Sequence, residues 1–595
     1  MDVRLARPPL AAAALALIAI LVTPGPARAQ HQPTISEARA IAIAKQDPKA
    51  VEALREHPEL SPSATRNESS GDWEVGFFAE GEQLVQVVVD DVSGATLESW
   101  SGHQVAWKMA RGYPGAFGRA VNSPWVWLSL CVIFVGGLLD WRRPLRLAHL
   151  DLLVIVGGFG LSHYFFNRGE IGMSVPLAYP PLLYLMGRAL WMGFRRDRGG
   201  WLRPAVPIAV LAVATALLVG GRIGLNVIDS NVIDVGFSGV IGADRIADGT
   251  TLYGNFPEDN RSGDTYGPVA YYAYVPFEQV LPWSGTWDDL PAAHAAAIFF
   301  DLGTMVGLFL FARRLRPGRE GNRLGVLLCF AWAACPYTAY ALESNTNDAL
   351  VSLTLVSALL LLDSPPARGI ALALSSLTKF APLALAPLFA TYGATHGSRD
   401  NPAADVARVG IRDASAGGGA AGGPIRGRIR ARRMGGTAAT GPLARYAKVV
   451  VPFTLAFAVT ALLVSAQALL DPGLDTYWHR TIGEQGGRDS PFSVWGQESS
   501  LGWLQASVKG VVIGLALLVA FRPRARDQVT VAAFGAALVI GMELTIDHWF
   551  YLYVPWFLPL LLIALLGGGR EKTSPSGAAP AAAQRESPQA DALRS

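Results

Sequence analysis

Charge is in short supply in this chain. Asp, Glu, Lys and Arg make up 16% of its 595 residues, against about 25% in ordinary globular proteins, while hydrophobic residues reach 51%. Mean hydropathy is +0.30. So little charge cannot clothe soluble domains in water, which excludes a soluble enzyme and a disordered chain and makes the bilayer the main solvent. Cysteine is scarcer still. Cys131, Cys329 and Cys335 all lie in apolar runs, so they offer neither a disulfide framework nor a zinc site. No Rossmann or Walker glycine pattern stands in its strand–turn–helix context, and no nucleic-acid partner is implied. The net charge of +3 is uninformative as a sum; its distribution between loops carries the signal.

The chain opens with Arg4 and Arg7, an apolar stretch from Ala11 to Val22, and Ala27-Arg28-Ala29. This order describes a secretory signal peptide over residues 1–29; an uncleaved anchor is the alternative, and either one exports residues 30–110. That stretch has soluble composition. Ser36 is placed to cap a helix through Ala38, Ile41, Ala42 and Ala44. Trp73–Phe78 and Leu84–Asp90 read as strands, with a turn at Asp91–Ala95. His57 and His103 are isolated, with no nucleophile–base pair beside them. The helix and meander ending in "VVVDDVSGATLES" resemble a PepSY-type domain, a small exported α+β module, and imply an interaction or regulatory role.

Eleven apolar segments of spanning length come next, near 124–140, 150–166, 172–192, 203–221, 291–312, 323–341, 347–363, 449–469, 502–521, 528–546 and 549–568. Arg142, Arg143 and Arg146 follow the first; Arg195, Arg196 and Arg198 follow the third. Arg313, Arg314, Arg316 and Arg319 follow the fifth, and Arg522, Arg524 and Arg526 follow the segment at 502–521. The positive-inside rule makes these loops cytoplasmic. Residues 369–390 break the alternation, because a single crossing there would export the basic loop 391–448. Thr378-Lys379-Phe380-Ala381-Pro382 interrupts the segment at its middle, so a re-entrant hairpin is expected; a full span with an exported loop is the alternative. Residues 570–595 read as a disordered cytoplasmic tail.

Residues 222–290 do not look like a connector. Ten acids (Asp229, Asp234, Asp244, Asp248, Glu258, Asp259, Asp264, Glu278, Asp288, Asp289) face three arginines (Arg222, Arg245, Arg261). Asp229 and Asp234 stand just past a membrane exit, where partial desolvation suits a carboxylate to proton abstraction. The other acids are accounted for by charge topology on an exported loop.

"DVGFSGVIGADRIADGTTLYGNF" from Asp234 and "DTYGPVAYYAYVPF" from Asp264 resemble the first outer loop of the glycosyltransferase-C superfamily. They are closest to the polyprenol-phosphate-mannose-dependent mannosyltransferases of glycosyltransferase family 87. Asp234, Phe237, Gly249, Tyr253 and Tyr266-Gly267-Pro268 occupy the pattern's places, Gly267 standing where that family has a proline. "ESNTNDAL" (Glu343–Leu350), "LTKFAPLALAPL" (Leu377–Leu388) and "DHWFYLYVPWFLPLLL" (Asp547–Leu562) resemble later elements of the same family in the same order.

The resemblance implies a polytopic α-helical membrane protein of about eleven spans plus the hairpin. Its glycosyltransferase-C-like core covers 203–568, with additional transmembrane helices at 124–200 and the small N-terminal α+β extracytoplasmic domain before them. The implied reaction moves a sugar, mannose by family default, from a polyprenyl-phosphate carrier to an extracytoplasmic glycan or glycolipid, with inversion. Asp234 is then the base, with Asp229 second. Lys379, His479, Arg480, Arg488 and His548 are candidates for the lipid phosphate, and Tyr266 and Asp264 for the substrate more generally. Asp301 and Glu543, inside spans, are expected to pair with neighbouring helices. No cofactor is implied; a divalent cation is compatible with the acidic loop but has no diagnostic spacing. The plasma membrane is the implied location. A transporter, or a sensor or scaffold working through its exported domain, are the competing classes.

Overall fold

A computed structural model describes residues 33–67, 70–79, 82–112, 118–195, 202, 204–394, 442–484, 490–523 and 526–568. The expected signal peptide, most of the basic loop, Arg488 and the C-terminal tail lie outside these residues. The described residues are mostly helical, at 69%, with a small sheet domain in their N-terminal part.

Ser36 caps the Glu37–Ala44 helix by accepting the Arg39 N–H at 3.3 Å, and Asp47 caps a second helix, Pro48–Glu56. The antiparallel sheet runs in the order β1 (Ser61–Arg66), β2 (Trp73–Ala79), β3 (Glu82–Val89), β4 (Thr96–Ser101). Ala40, Ala44, Ala50, Val75, Phe77, Val85, Val87 and Val89 form its core with the helices. β2 and β3 lie where the sequence predicts strands. The second helix and β1 are additions; β1 is a polar edge strand, Ser-Pro-Ser-Ala-Thr-Arg, whose pairing comes from β2 rather than from any apolar alternation of its own. Asp91 ties the start of the domain to this sheet. Its carboxylate accepts the Thr34 N–H at 2.9 Å, the Ile35 N–H at 3.3 Å and the Trp73 indole at 2.9 Å, with Arg66 at 3.4 Å. Burial pushes this carboxyl up, but the backbone and indole hydrogen bonds and Arg66 outweigh it and hold it below the usual range.

Among the described residues, five helices are long and apolar enough to cross a membrane: Leu147–Asn167, Ile208–Ile228, Pro291–Leu315, Leu443–Gly483 and Ser499–Phe521. The pair Gly318–Ala334 and Pro336–Glu343, bent by 61°, makes a sixth if taken as one broken span. Other expected spans are shorter apolar helices, including Pro124–Leu138, Asp348–Leu360, Gln528–Glu543 and Tyr551–Gly567, below the ~20 residues that a helix needs to cross a hydrocarbon core. The chain is therefore a membrane protein in its composition and helices, with five or six spans by length and composition among the described residues against the eleven expected from apolar runs. Several runs contain turns that end the helix before it is long enough, while Ile171–Phe194 has the length, at 24 residues, but carries three prolines and is less apolar than the five.

Arginines gather several helix C-termini at one end of the body. Arg368 donates to the carbonyls of Leu362, Phe389, Ala390 and Tyr392. Arg526 reaches Val519 and Thr391, and Arg316 reaches Leu566 and Gly567. Arg314 bonds Asp363 and the Leu360 carbonyl. Cations satisfy the carbonyls that helix ends leave unpaired. Arg368 also fixes the shape of the interrupted segment: it sits near the start of the Pro365–Ser376 helix and donates to the carbonyls of the last residues of Ala386–Ala390 and of Tyr392 just past its end. The two ends of 365–392 are thus side by side and the segment folds back on itself, with Leu377–Phe380 at its tip.

Candidate functional site

The opposite end of the body is built on a polar turn. Glu343, Ser344, Asn345, Thr346, Asn347 and Asp348, which join Pro336–Glu343 to Asp348–Leu360, are all buried. Asn345 adopts φ 50°, and asparagine is among the few side chains that visit the left-handed region readily. Asn226 holds it, donating to Leu342 O and Asn345 Oδ1, both at 2.7 Å. Asn345 donates in turn to Ser230 Oγ at 2.9 Å and Asn231 O at 3.0 Å. The Ile233 N–H donates to Ser344 O at 3.2 Å. A Cβ on Gly236 would stand 2.3 Å from the Asn345 carbonyl oxygen, so only glycine permits this approach. Below the turn, Arg222 donates to Asp301 at 2.7 Å and to the carbonyls of Trp332, Ala333 and Thr338 at the bend between Gly318–Ala334 and Pro336–Glu343. Asp301, expected to pair with a neighbouring helix, does so here and also accepts the Trp332 indole at 2.8 Å.

Lys379, at the tip of the folded-back segment, points its ammonium into this end. Its Nζ lies 2.5 Å from Asp348 Oδ1, which also accepts the Trp556 indole at 2.8 Å. The rings of Trp556, Tyr266 and Tyr553 stand 5.0, 5.3 and 5.4 Å from the same ammonium, within cation–π range. Lys379 and Asp348 are 6% and 1% exposed, so each charge relies on the other. Around them, the Tyr274 hydroxyl, both polar atoms of the Asn347 amide and Glu543 Oε1 are buried without a hydrogen-bond partner; the other oxygen of Glu543 accepts the Trp549 indole at 3.0 Å. The acidic segment docks on the same tip: the Val269 N–H donates to Leu377 O at 3.1 Å. A Cβ on Gly267 would lie 2.1 Å from that oxygen. Gly267 is therefore the point where two backbones meet.

Asp234 opens the Asp234–Ala247 helix, exposed, its Oδ1 accepting the Val235 N–H at 2.9 Å and its carbonyl accepting Asn260 Nδ2 at 3.0 Å. A carboxylate in the first turn is favoured by the unpaired N–H groups there. Asp229 is exposed just past the Ile208–Ile228 helix, near Glu343. Further along the Asp234–Ala247 helix, Asp244 is held above the ordinary carboxylate range by burial, then by the Asp248 and Glu278 charges.

Asp264 and Arg480, both expected at the substrate, bond one another. Arg480 Nε lies 2.8 and 3.0 Å from the two Asp264 oxygens and its Nη2 also reaches Asp264. Asp264 is fully buried and accepts the Gly254 N–H at 2.6 Å, while Arg480 continues to Glu484 at 2.9 Å. With Tyr272–Gln467 and Thr251–Asp471 contacts beside it, the pair joins the acidic segment to the end of the Leu443–Gly483 helix. His479 is exposed next to it.

His548 is half-buried, with Nδ1 2.8 Å from Ser490 Oγ. Its ring meets Phe492 edge-on at 5.2 Å, Tyr553 at 6.3 Å and Trp107 at 5.3 Å. Tyr553 stacks on Trp556 at 4.2 Å, which places His548 one ring away from the Lys379 cage. The structure thus brings Tyr266, Lys379 and His548 to one cluster. Asp264 and Arg480 form an adjoining joint, and Asp229 and Asp234 lie along the segment between the buried turn and that joint. Asp348, Asn347, Tyr274 and Trp107 also lie at this cluster and are not among the residues expected there from the sequence. For Asp348 a signal is present: it stands in "ESNTND", directly before an apolar helix.

Among the described residues no three His, Cys, Asp or Glu side chains gather as metal ligands. No protein-family model matches this chain, and no curated protein matches it.

Proposed function

We propose that this protein is a membrane glycosyltransferase that moves a sugar from a polyprenyl-phosphate carrier to an extracytoplasmic glycan or glycolipid. The observation that carries the reading is convergence. Three stretches far apart in sequence, each resembling an element of the same family, meet at one end of the body: the acidic segment through Tyr266, the hairpin tip through Lys379, and the start of the last helix through Tyr553 and Trp556. That end lies opposite the arginine-capped one, so the positive-inside rule puts it outside the cytoplasm, with about eleven segments crossing or entering the bilayer and residues 365–392 re-entrant.

In the reaction, Asp234 takes the proton of the acceptor hydroxyl while its oxygen bonds the anomeric carbon from the face opposite the phosphate. The bond from that carbon to the phosphate oxygen breaks and its electron pair leaves with the lipid phosphate, so the centre inverts. Asp234 suits this by its exposure beside the buried turn. Lys379 is already neutralised by Asp348, so it shapes the wall of the site; His548, His479 and Arg488 are the groups we assign to the phosphate. The donor's sugar is assigned as mannose on the family resemblance alone.

Transfer of radiolabelled sugar from polyprenyl-phosphate donors in membranes tests this. Asp234→Asn is expected to lose transfer by ~10²–10⁴-fold. Full activity in a well-expressed variant removes Asp234 as the base, and absence of transfer with every lipid-phosphate donor overturns the reading. A transporter is the second reading, favoured by the buried Lys379–Asp348 pair, since intramembrane charges mark ion and substrate paths; sugar uptake into vesicles without covalent transfer would support it.

A further inference from the structure

The segment that leaves the sheet domain is fastened at both ends. On the domain side, Arg111 donates to Gln86 Oε1 of β3 at 2.6 Å and to the Gln104 carbonyl at 2.8 Å. Its guanidinium lies 5.2 Å from the Trp100 ring of β4, with Lys49 at the same distance from that ring. On the body side, a Cβ on Gly112 would meet Gly169 N at 2.5 Å and Asn167 O at 2.7 Å, so the backbone lies directly against the turn before the Ile171–Phe194 helix. Trp107 stands just before both anchors, in the loop that Arg111 closes onto the Gln104 carbonyl. Its indole lies tilted over His548 at 5.3 Å and meets Phe492 edge-on at 5.9 Å. A short stretch with one anchor in the sheet, one against the helices and its aromatic residue on the imidazole cannot shift at one place and stay still at the others.

We propose that Trp107 is a positioning residue for His548, through which the N-terminal sheet domain controls the glycosyltransferase site. Trp107 covers one side of the imidazole while Ser490 holds its Nδ1, so the ring keeps one orientation only while the linker is seated. A partner or force that pulls the sheet domain away unseats Trp107 and frees the ring to rotate. The proposal rests on the functional reading only for the statement that His548 belongs to the site; the mechanical link stands on the contacts themselves.

The test measures the rate at which diethylpyrocarbonate modifies His548 in the full-length protein in detergent, read by peptide mass spectrometry with exposed His57 as internal reference. Trp107→Ala is expected to raise the His548 rate several-fold, and Trp107→Phe, which keeps a ring, to stay near wild type. Arg111→Ala, which touches no part of the helical body's polar cluster, is expected to raise it as well, because it loosens the domain-side anchor. Retained thermal unfolding midpoints show that the variants are folded. An unchanged His548 rate in folded Trp107→Ala removes the positioning role, and an unchanged rate in Arg111→Ala removes control by the sheet domain. In the sugar-transfer assay, both alanine variants are expected to lower kcat with little change in KM for the donor. If wild type transfers no sugar at all, the functional reading fails while the modification rates still decide the link.

Discussion

Asp348 and Lys379 show what a buried charge requires of its surroundings. Neither can shed its charge into water, so removing one leaves the other stranded at a cost of about 3–5 kcal/mol. Asp348→Asn is therefore expected to lower the thermal midpoint in detergent sharply. The double variant Asp348→Leu with Lys379→Met is expected to lose less than the sum of the two single changes, and a double-mutant cycle measures the coupling. A single variant with an unchanged midpoint would show that the pair is not buried as described. Lys379 is legible in the sequence as a charge inside an apolar stretch. Its partner is not, because nothing in a linear pattern says which distant carboxylate a hairpin tip will meet. Arg480 and Asp264 teach the complementary lesson. Each is the right residue type for substrate, yet each answers the other's charge.

Segments meet here through backbone, and glycine marks the places. Gly267→Ala puts a methyl group 2.1 Å from the Leu377 carbonyl oxygen, so the acidic segment must back away from the hairpin tip. Overpacking of this kind costs about 1–3 kcal/mol; a lowered midpoint and faster hydrogen exchange at Val269 are the expected outcome. Arg368→Met frees the carbonyls of Phe389 and Tyr392 that hold the hairpin's ends together, and hydrogen exchange over 386–392 is expected to speed up while the sheet domain is unchanged. The break at Lys379–Pro382 is readable from proline in an apolar run. For residues 267–282 the resemblance implies one helix, whereas two short helices stand there, Val269–Tyr272 and Val275–Glu278, with Pro276 in the first turn of the second. Boundaries of this kind depend on neighbours that local propensity does not contain.

The molecule as a whole divides its electrostatics between a sheet domain in water and a helical body. Asp91 in the former is held below the unfolded carboxyl range, so its stabilisation is fully present above the unfolded value of about 3.9 and is lost as pH falls through the folded one. Acid titration followed by hydrogen exchange in β2 and β3 is expected to show this loss, and Asp91→Asn to remove it. For the body, a reporter fused at Ala420 is expected to signal from the cytoplasm if 365–392 re-enters; an exported signal makes the segment a full span.

Composition alone determined that this chain belongs to a bilayer, since 16% charge cannot cover soluble domains of this length. The order of residues determined where that charge goes: arginines after apolar segments, a run of acids in one loop, one lysine at a proline break. These are local facts, set by transfer energies and backbone sterics that act on neighbours in the chain. Only the tertiary structure decided which charges are consumed by one another. Lys379 with Asp348, Arg480 with Asp264 and Arg222 with Asp301 are contacts across 31, 216 and 79 residues. Pairing of that range depends on how helices stack and where hairpins turn back, and a buried ion is stable only where that stacking supplies its counterion.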